Sequence, residues 1–359
     1  MNTRATVPTV ATVLALCLGG LAQAQEVVRV PDAPVCASCT IAVERIALLG
    51  DANSEVPFNV PVAAAVDARG RIYLSMRSSL GQVHVFSSNG DHLATIGRDG
   101  EGPGEYRVIE HIFIRGDSLF IVDARLLRLT VLDENWRTVS TTRIPTRPLR
   151  ATLSHERGLL INAVPANRVP TPPVQRLAPD GAVTASYGDP VIRQLGDPLS
   201  ATRTITQSGR DTTVWVAYRD RYQLERYSWI GTLLSTIRRV APWFEEYRPS
   251  SDPPRTVVSD VVLDSLGYLW VLTTVLEDDW RESLERAREN RDPVGVNDRV
   301  WDSIVEVIDP RGGAVVARRR LDQHMQRFPA PGVLFSYAET DVGVPQISLW
   351  RLRLITGRE

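Results

Sequence analysis

Gly97-Arg98-Asp99-Gly100-Glu101-Gly102-Pro103-Gly104-Glu105-Tyr106-Arg107 carries four glycines and a proline in eleven residues. A stretch with that much backbone freedom and a fixed proline φ propagates neither a helix nor a strand. It is a loop, and it lies between two alternating apolar runs. The same run-turn-run grammar recurs to the C-terminus. Upstream, residues 62–66, 71–76, 82–86 and 92–96 read as four short strands separated by turns rich in Gly, Asp, Asn and Ser, the pattern of antiparallel hairpins.

The second strand of each such unit carries a recognisable triplet, mostly aliphatic around a central aromatic. It appears as Ile72-Tyr73-Leu74, Leu119-Phe120-Ile121, Leu159-Leu160-Ile161, Val214-Trp215-Val216, Leu269-Trp270-Val271 and, more loosely, Leu334-Phe335-Ser336. Successive triplets are 47, 40, 55, 55 and 65 residues apart. Periods near 40–50 residues with several short strands each indicate a propeller. The expected fold is all-β: six four-stranded antiparallel blades at about 60–97, 108–144, 148–188, 200–240, 256–320 and 330–356. The last blade lacks a fourth strand, and the apolar run 41–49 has no blade of its own. Pairing the two would close the ring and remove an open edge. The triplets are expected to pack between blades rather than at a site.

The loop 96–106, with Val66-Asp67, the run Gly70-Arg71-Ile72-Tyr73-Leu74 and Leu119-Phe120-Ile121-Val122-Asp123, resembles the inter-blade segments of NHL-type repeats in secreted bacterial six-bladed propellers. The likeness is sharp over 60–135. One insertion breaks the pattern: within 277–290, Trp280, Leu284 and Ala287 recur at helical spacing, with acids early and arginines late, which predicts a short helix in blade five.

Residues 1–24 read as a secretory leader: Arg4 starts it, an apolar region spans 7–21, and Ala22-Gln23-Ala24 is the small-residue cleavage site. The expected location is periplasmic or secreted, with 25–40 an N-terminal extension and 41–359 the propeller. Cys17 follows Leu16, where a lipid-attachment site would have a small residue. No run approaches the ~20 apolar residues of a membrane span. Cys36 and Cys39 form a CxxC without a following His and without a second Cys pair, so in an oxidising compartment a local disulfide is expected.

The net charge of −1 gives no field that would draw nucleic acid. All 41 basic residues are arginine, which excludes lysine Schiff-base and P-loop chemistry. The HExxH, Gly-x-Ser-x-Gly and EF-hand patterns are absent, and the five histidines are dispersed at 84, 92, 111, 155 and 324. No catalytic residue is assigned. Glu110, Arg150, Arg203 and Asp260 open inner strands and are expected to ring the channel mouth, with Asp123, Arg125, Arg168, Arg219 and Trp243 near it. Arginines beside aromatics suit a peptide, glycan or protein partner. That makes a binding or scaffolding module the first reading. The alternative is a lactonase-type hydrolase in which Glu110, Asn162 and Asp260 hold a divalent metal in the channel, polarising a carbonyl and activating water.

Overall fold

The computed structural model describes residues 26–51, 54–155, 158–163, 169–192, 197, 199–207, 212–246, 256–289, 300–340 and 342–357. The proposed leader with its cleavage site, Cys17, Arg168 and much of the Pro-rich loop around it lie outside them.

Strands β1 (Glu26–Val30) and β2 (Thr40–Leu49) precede the first complete blade. Blade one is β3 (Pro61–Val66), β4 (Ile72–Met76), β5 (Val83–Phe86) and β6 (His92–Ile96). The Gly-rich loop forms a two-residue parallel ladder, β7 (Arg98–Asp99) with β8 (Glu105–Tyr106). Blade two is β9 (Ile109–Arg115), β10 (Ser118–Asp123), β11 (Arg128–Leu132) and β12 (Thr138–Arg143). Blade three is β13 (Arg150–Leu153), β14 (Leu159–Asn162), β15 (Val174–Leu177) and β16 (Val183–Tyr187). Blade four is β17 (Arg203–Gln207), β18 (Val214–Tyr218), β19 (Gln223–Tyr227) and β20 (Leu233–Arg239). Blade five is β21 (Val257–Leu263), β22 (Leu269–Leu276), β23 (Trp301–Asp309) and β24 (Ala314–Leu321), with α1 (Trp280–Glu289) between β22 and β23. Blade six is β25 (Met325–Ala330), β26 (Val333–Glu339) and β27 (Pro345–Ile355), completed by β2 on the outer edge of β27. The protein is a six-bladed β-propeller.

The ring closes as the spare run 41–49 predicts. β2 pairs antiparallel with β27 from Thr40↔Ile355 to Leu49↔Ile347. The innermost strands contact one another in a complete circuit, β3 to β9, β13, β17, β21, β25 and back to β3. All six triplets fall on second strands, β4, β10, β14, β18, β22 and β26. A second strand is covered on both faces by neighbouring blades, so it reads as a continuous apolar run rather than an alternation. β4, β14 and β18 are buried along their whole length. The outermost strands β6, β12 and β16 are mostly exposed, which is why they are polar and β-branched. Side chains between successive blades form six hydrophobic clusters, one per interface. Tyr73, Ile109 and Leu119 bridge blades one and two, for example, while Phe86, Phe335 and Leu349 bridge blades six and one.

The Gly-rich loop is scaffold. The Glu105 carboxylate accepts the N–H groups of Glu101 and Gly102 and the Arg98 Nε–H. Tyr106 is driven into the core between blades one and two. Gly97 has φ +80°, and a Cβ there would sit 2.6 Å from the Tyr106 ring, so only glycine lets the loop fold back over it.

One element differs from expectation. The segment ahead of β2 is a strap rather than a free extension: β1 pairs parallel with β20 and makes blade four five-stranded. Val30 is fully buried between blades four and five. Cys36 and Cys39 form the expected disulfide just before β2.

Candidate functional site: an arginine-lined central channel

The inner strands enclose a cavity of about 300 Å³ on the propeller axis. Its walls include Ala63 and Ala64 of β3, His111 to Arg115 of β9, Arg150 to Leu153 of β13, Ile205 to Gln207 of β17, Asp260 to Leu263 of β21 and Arg327 to Ala330 of β25. The walls are unequal: blade one offers small apolar side chains, whereas blades two, three, five and six offer charge.

Arg150 and Arg327 line this cavity, and Arg219 lies close enough to both to interact electrostatically. Burial is the main influence that lowers the pKa of each; neighbouring guanidiniums add to it for Arg150 and Arg219, while Asp260 and Glu110 oppose it for Arg327. Arg219 is brought down to about 10. Each side chain is partly buried, and those of Arg150 and Arg327 line the cavity. Their partners are few. Arg150 donates to the Leu149 carbonyl at 3.3 Å, and its Nε–H is buried without a partner. Arg219 donates through Nε to the Val258 carbonyl at 3.1 Å. Arg327 makes no side-chain hydrogen bond and no ion pair within 4.0 Å among the described residues.

Two carboxylates lie close. Glu110 is taken up by Arg147, which binds it through two guanidinium nitrogens. Asp260 sits at a bulge in β21 and accepts the N–H groups of Phe328 and Val261, both at 3.0 Å. Its pKa is raised, because desolvation outweighs the nearby arginines. His111 is 4% exposed and stacks on Phe113 at 6.2 Å between centroids. Burial and the cations of Arg327 and Arg150 hold its pKa well below the usual imidazole range, so it is neutral. A hydrogen bond to the Pro148 carbonyl engages one ring nitrogen, and Nε2 is buried without a partner.

The structure brings Glu110, Arg150, Arg219 and Asp260 together, and it places the other candidates elsewhere. Asn162 is fully buried at the end of β14. It donates to the Pro173 and Ala201 carbonyls and accepts the Arg203 N–H, tying blade three to blade four. Arg203 turns away from the axis and stacks 3.8 Å over the Tyr218 ring. Asp123 is buried under a turn and accepts the N–H groups of Arg107, Val108, Arg125 and Leu126. Arg125 is exposed on that turn.

Trp243 is a clasp of the strap instead of a channel-mouth aromatic. Its indole donates to Asp32 at 3.1 Å, and it packs on Tyr222 and Phe244. Asp32 also takes Arg239 at 2.9 Å and Arg318 at 2.6 Å. Both arginines in turn hold the fully buried Glu306, which also accepts the Tyr222 hydroxyl. These groups answer one another and leave no site.

Arg327 and His111 are channel residues that sequence reasoning misses. Met325–Ala330 carries Pro329 and precedes the recognisable triplet, so it does not read as a strand.

Among the described residues, no three or more His, Cys, Asp or Glu side chains are arranged to hold a metal ion. With Asn162 turned into the blade, the metal set expected from the sequence is reduced to Glu110, already paired, and Asp260, bonded to backbone. The residues present do not fit a divalent cation.

Residues 60–160 match a family model, DUF5128, described as a 6-bladed beta-propeller. No curated protein matches the sequence. Solved structures similar to this chain include three from Bacteroides species. A candidate exported protein from Bacteroides fragilis aligns with a TM-score of 0.57 at 9% identity, over 91% of this chain and 99% of that one. A DUF4221-family member from Bacteroides vulgatus aligns at 0.58 and 8% identity, over 89% and 99%. A protein of unknown function from Bacteroides thetaiotaomicron aligns at 0.50 and 9% identity, over 87% and 76%. At these identities the likeness concerns the fold, and the chemistry rests on the channel itself.

Proposed function

We propose that this chain is an exported binding module, a propeller that receives part of a peptide, glycan or protein partner at its channel. One observation carries the reading: two guanidiniums line the channel with a third beside them and one carboxylate that no arginine takes up, and no metal-binding set forms among the described residues. Guanidiniums held close together with only one uncommitted carboxylate near them destabilise the empty protein, and an incoming anionic or acceptor-rich partner relieves that cost. The leader-like residues 1–24 and the disulfide support export.

The test is a peptide and glycan array probed with the chain from Gln25 and with its Arg150→Ala, Arg219→Ala variant. A ligand bound by the first and lost by the second supports the reading. Turnover of a lactone or ester that requires added divalent cation would replace it with the hydrolase reading.

A further inference from the structure

The cavity asks for more than bulk. Among the described residues Arg327 has no side-chain hydrogen-bond or ion-pair partner, and Arg150 leaves its Nε–H buried and unmet. Guanidiniums offer only donors, in a planar fork that matches a carboxylate or phosphate. His111 lines the same cavity, and its Nε2 is buried without a partner. In a neutral imidazole whose other nitrogen donates to a carbonyl, Nε2 carries the lone pair. A buried acceptor without a donor costs free energy until something donates to it. The blade-one wall, Ala63 and Ala64, is small and leaves room. Donor forks from β13 and β25, across the ring from each other, and an imidazole on β9 in the arc between them describe a ligand with an anionic group and, close to it, a hydroxyl.

We infer that the channel binds a small hydroxylated organic anion, a sugar acid or sugar phosphate, with Arg327 and Arg150 on the anionic group and His111 Nε2 accepting from a hydroxyl. Arg219 adds long-range attraction, and Asp260 stands ready for a second hydroxyl. This rests on the binding reading above and narrows it to a chemical class. Carboxylate and phosphate share the fork geometry, so the test carries both.

The full chain from Gln25 is titrated by calorimetry with glucuronate, glucose 6-phosphate and glucose at fixed ionic strength, alongside Arg327→Met and His111→Phe. At least one of the two acids binds, and glucose binds at least about tenfold more weakly, a difference of about 1.4 kcal/mol. Arg327→Met weakens the acid by about tenfold or more, while its thermal midpoint without ligand stays equal to or above the parent's, because a cation lacking a partner has been removed. His111→Phe weakens the hydroxylated acid more than it weakens acetate or inorganic phosphate. Failure of both acids to bind, glucose binding as well as either acid, or acid binding untouched by Arg327→Met would each overturn the inference. If the acids fail but an array ligand still depends on Arg150 and Arg219, the binding reading stands without this narrowing. If metal-dependent turnover appears, the binding reading itself falls.

Discussion

Asp123 accepts four backbone N–H groups with one carboxylate, from Arg107 at 2.7 Å to Val108 at 3.3 Å. Asp67 and Asp264 play a related role in the first turns of blades one and five, where each accepts the N–H groups two and four residues on. Hydrogen bonds to an ionised acceptor are stronger than neutral ones, and removing this one leaves several buried donors unmet. Asp123→Ala is therefore expected to lower unfolding stability by about 3 kcal/mol, whereas Arg125→Ala on the same turn changes it by less than about 0.5 kcal/mol. Urea denaturation of the two variants checks the contrast.

Histidines set a second residue-scale effect. Burial keeps His84 and His324 neutral down to about 4 in the folded protein. Their ordinary value in the unfolded chain is 6.5, so between these limits the unfolded state binds more protons. Their contribution is fully present above pH 6.5 and is lost as the pH falls towards 4. His84→Gln should flatten the stability-versus-pH curve in that window and leave its slope unchanged above it. An unchanged slope below pH 6.5 would contradict this.

Residue roles were the part least legible in the sequence. Arg150 and Asp260 line the channel, with Glu110 and Arg219 close to them, because inner-strand starts and blade-top loops point there. Asp123, Asn162 and Arg203 occupy comparable positions along the chain, but their polar atoms are consumed by backbone groups or an aromatic face. Such partners cannot be read without coordinates.

At the scale of elements, the strap is the main finding. β1 adds a fifth strand to blade four, and Asp32 then clamps Arg239, Arg318 and Trp243. With Asp32 gone, Glu306 remains to face the two arginines alone. Loss of a partner from a buried pair costs about 3–5 kcal/mol. Asp32 is 38% exposed, so solvent screening reduces the expected effect of Asp32→Ala to about 1–2 kcal/mol, measurable in urea. Neither β1 nor β25 reads clearly as a strand. Glu26–Val30 is five residues long and joins a sheet through a parallel pairing with no local partner, and β25 contains a proline. The helix α1 was legible because Trp280 and Leu284 repeat at its period and acids open it.

At the scale of the molecule, the ring was the most legible feature. Six second strands are buried on both faces, and that demand writes a repeated apolar signature into the chain. Closure follows from the need to cover an edge. A chain beginning at residue 51 would leave the long outer edge of β27 unpaired along eleven residues. It is expected to self-associate or unfold in sedimentation velocity runs, while a chain beginning at residue 40, which keeps β2, sediments as the full chain does. Aggregation of both alike would argue that the strap, rather than closure, holds the ring.

The account turns on the channel's being a cationic chamber for a ligand instead of a metal-dependent hydrolytic centre. Elemental analysis of the purified chain, after incubation with calcium, manganese and zinc and removal of the excess, tests that most directly. The expected result is far less than one divalent ion per chain, unchanged by Asp260→Asn. One tightly held ion per chain, lost in Asp260→Asn, would contradict it.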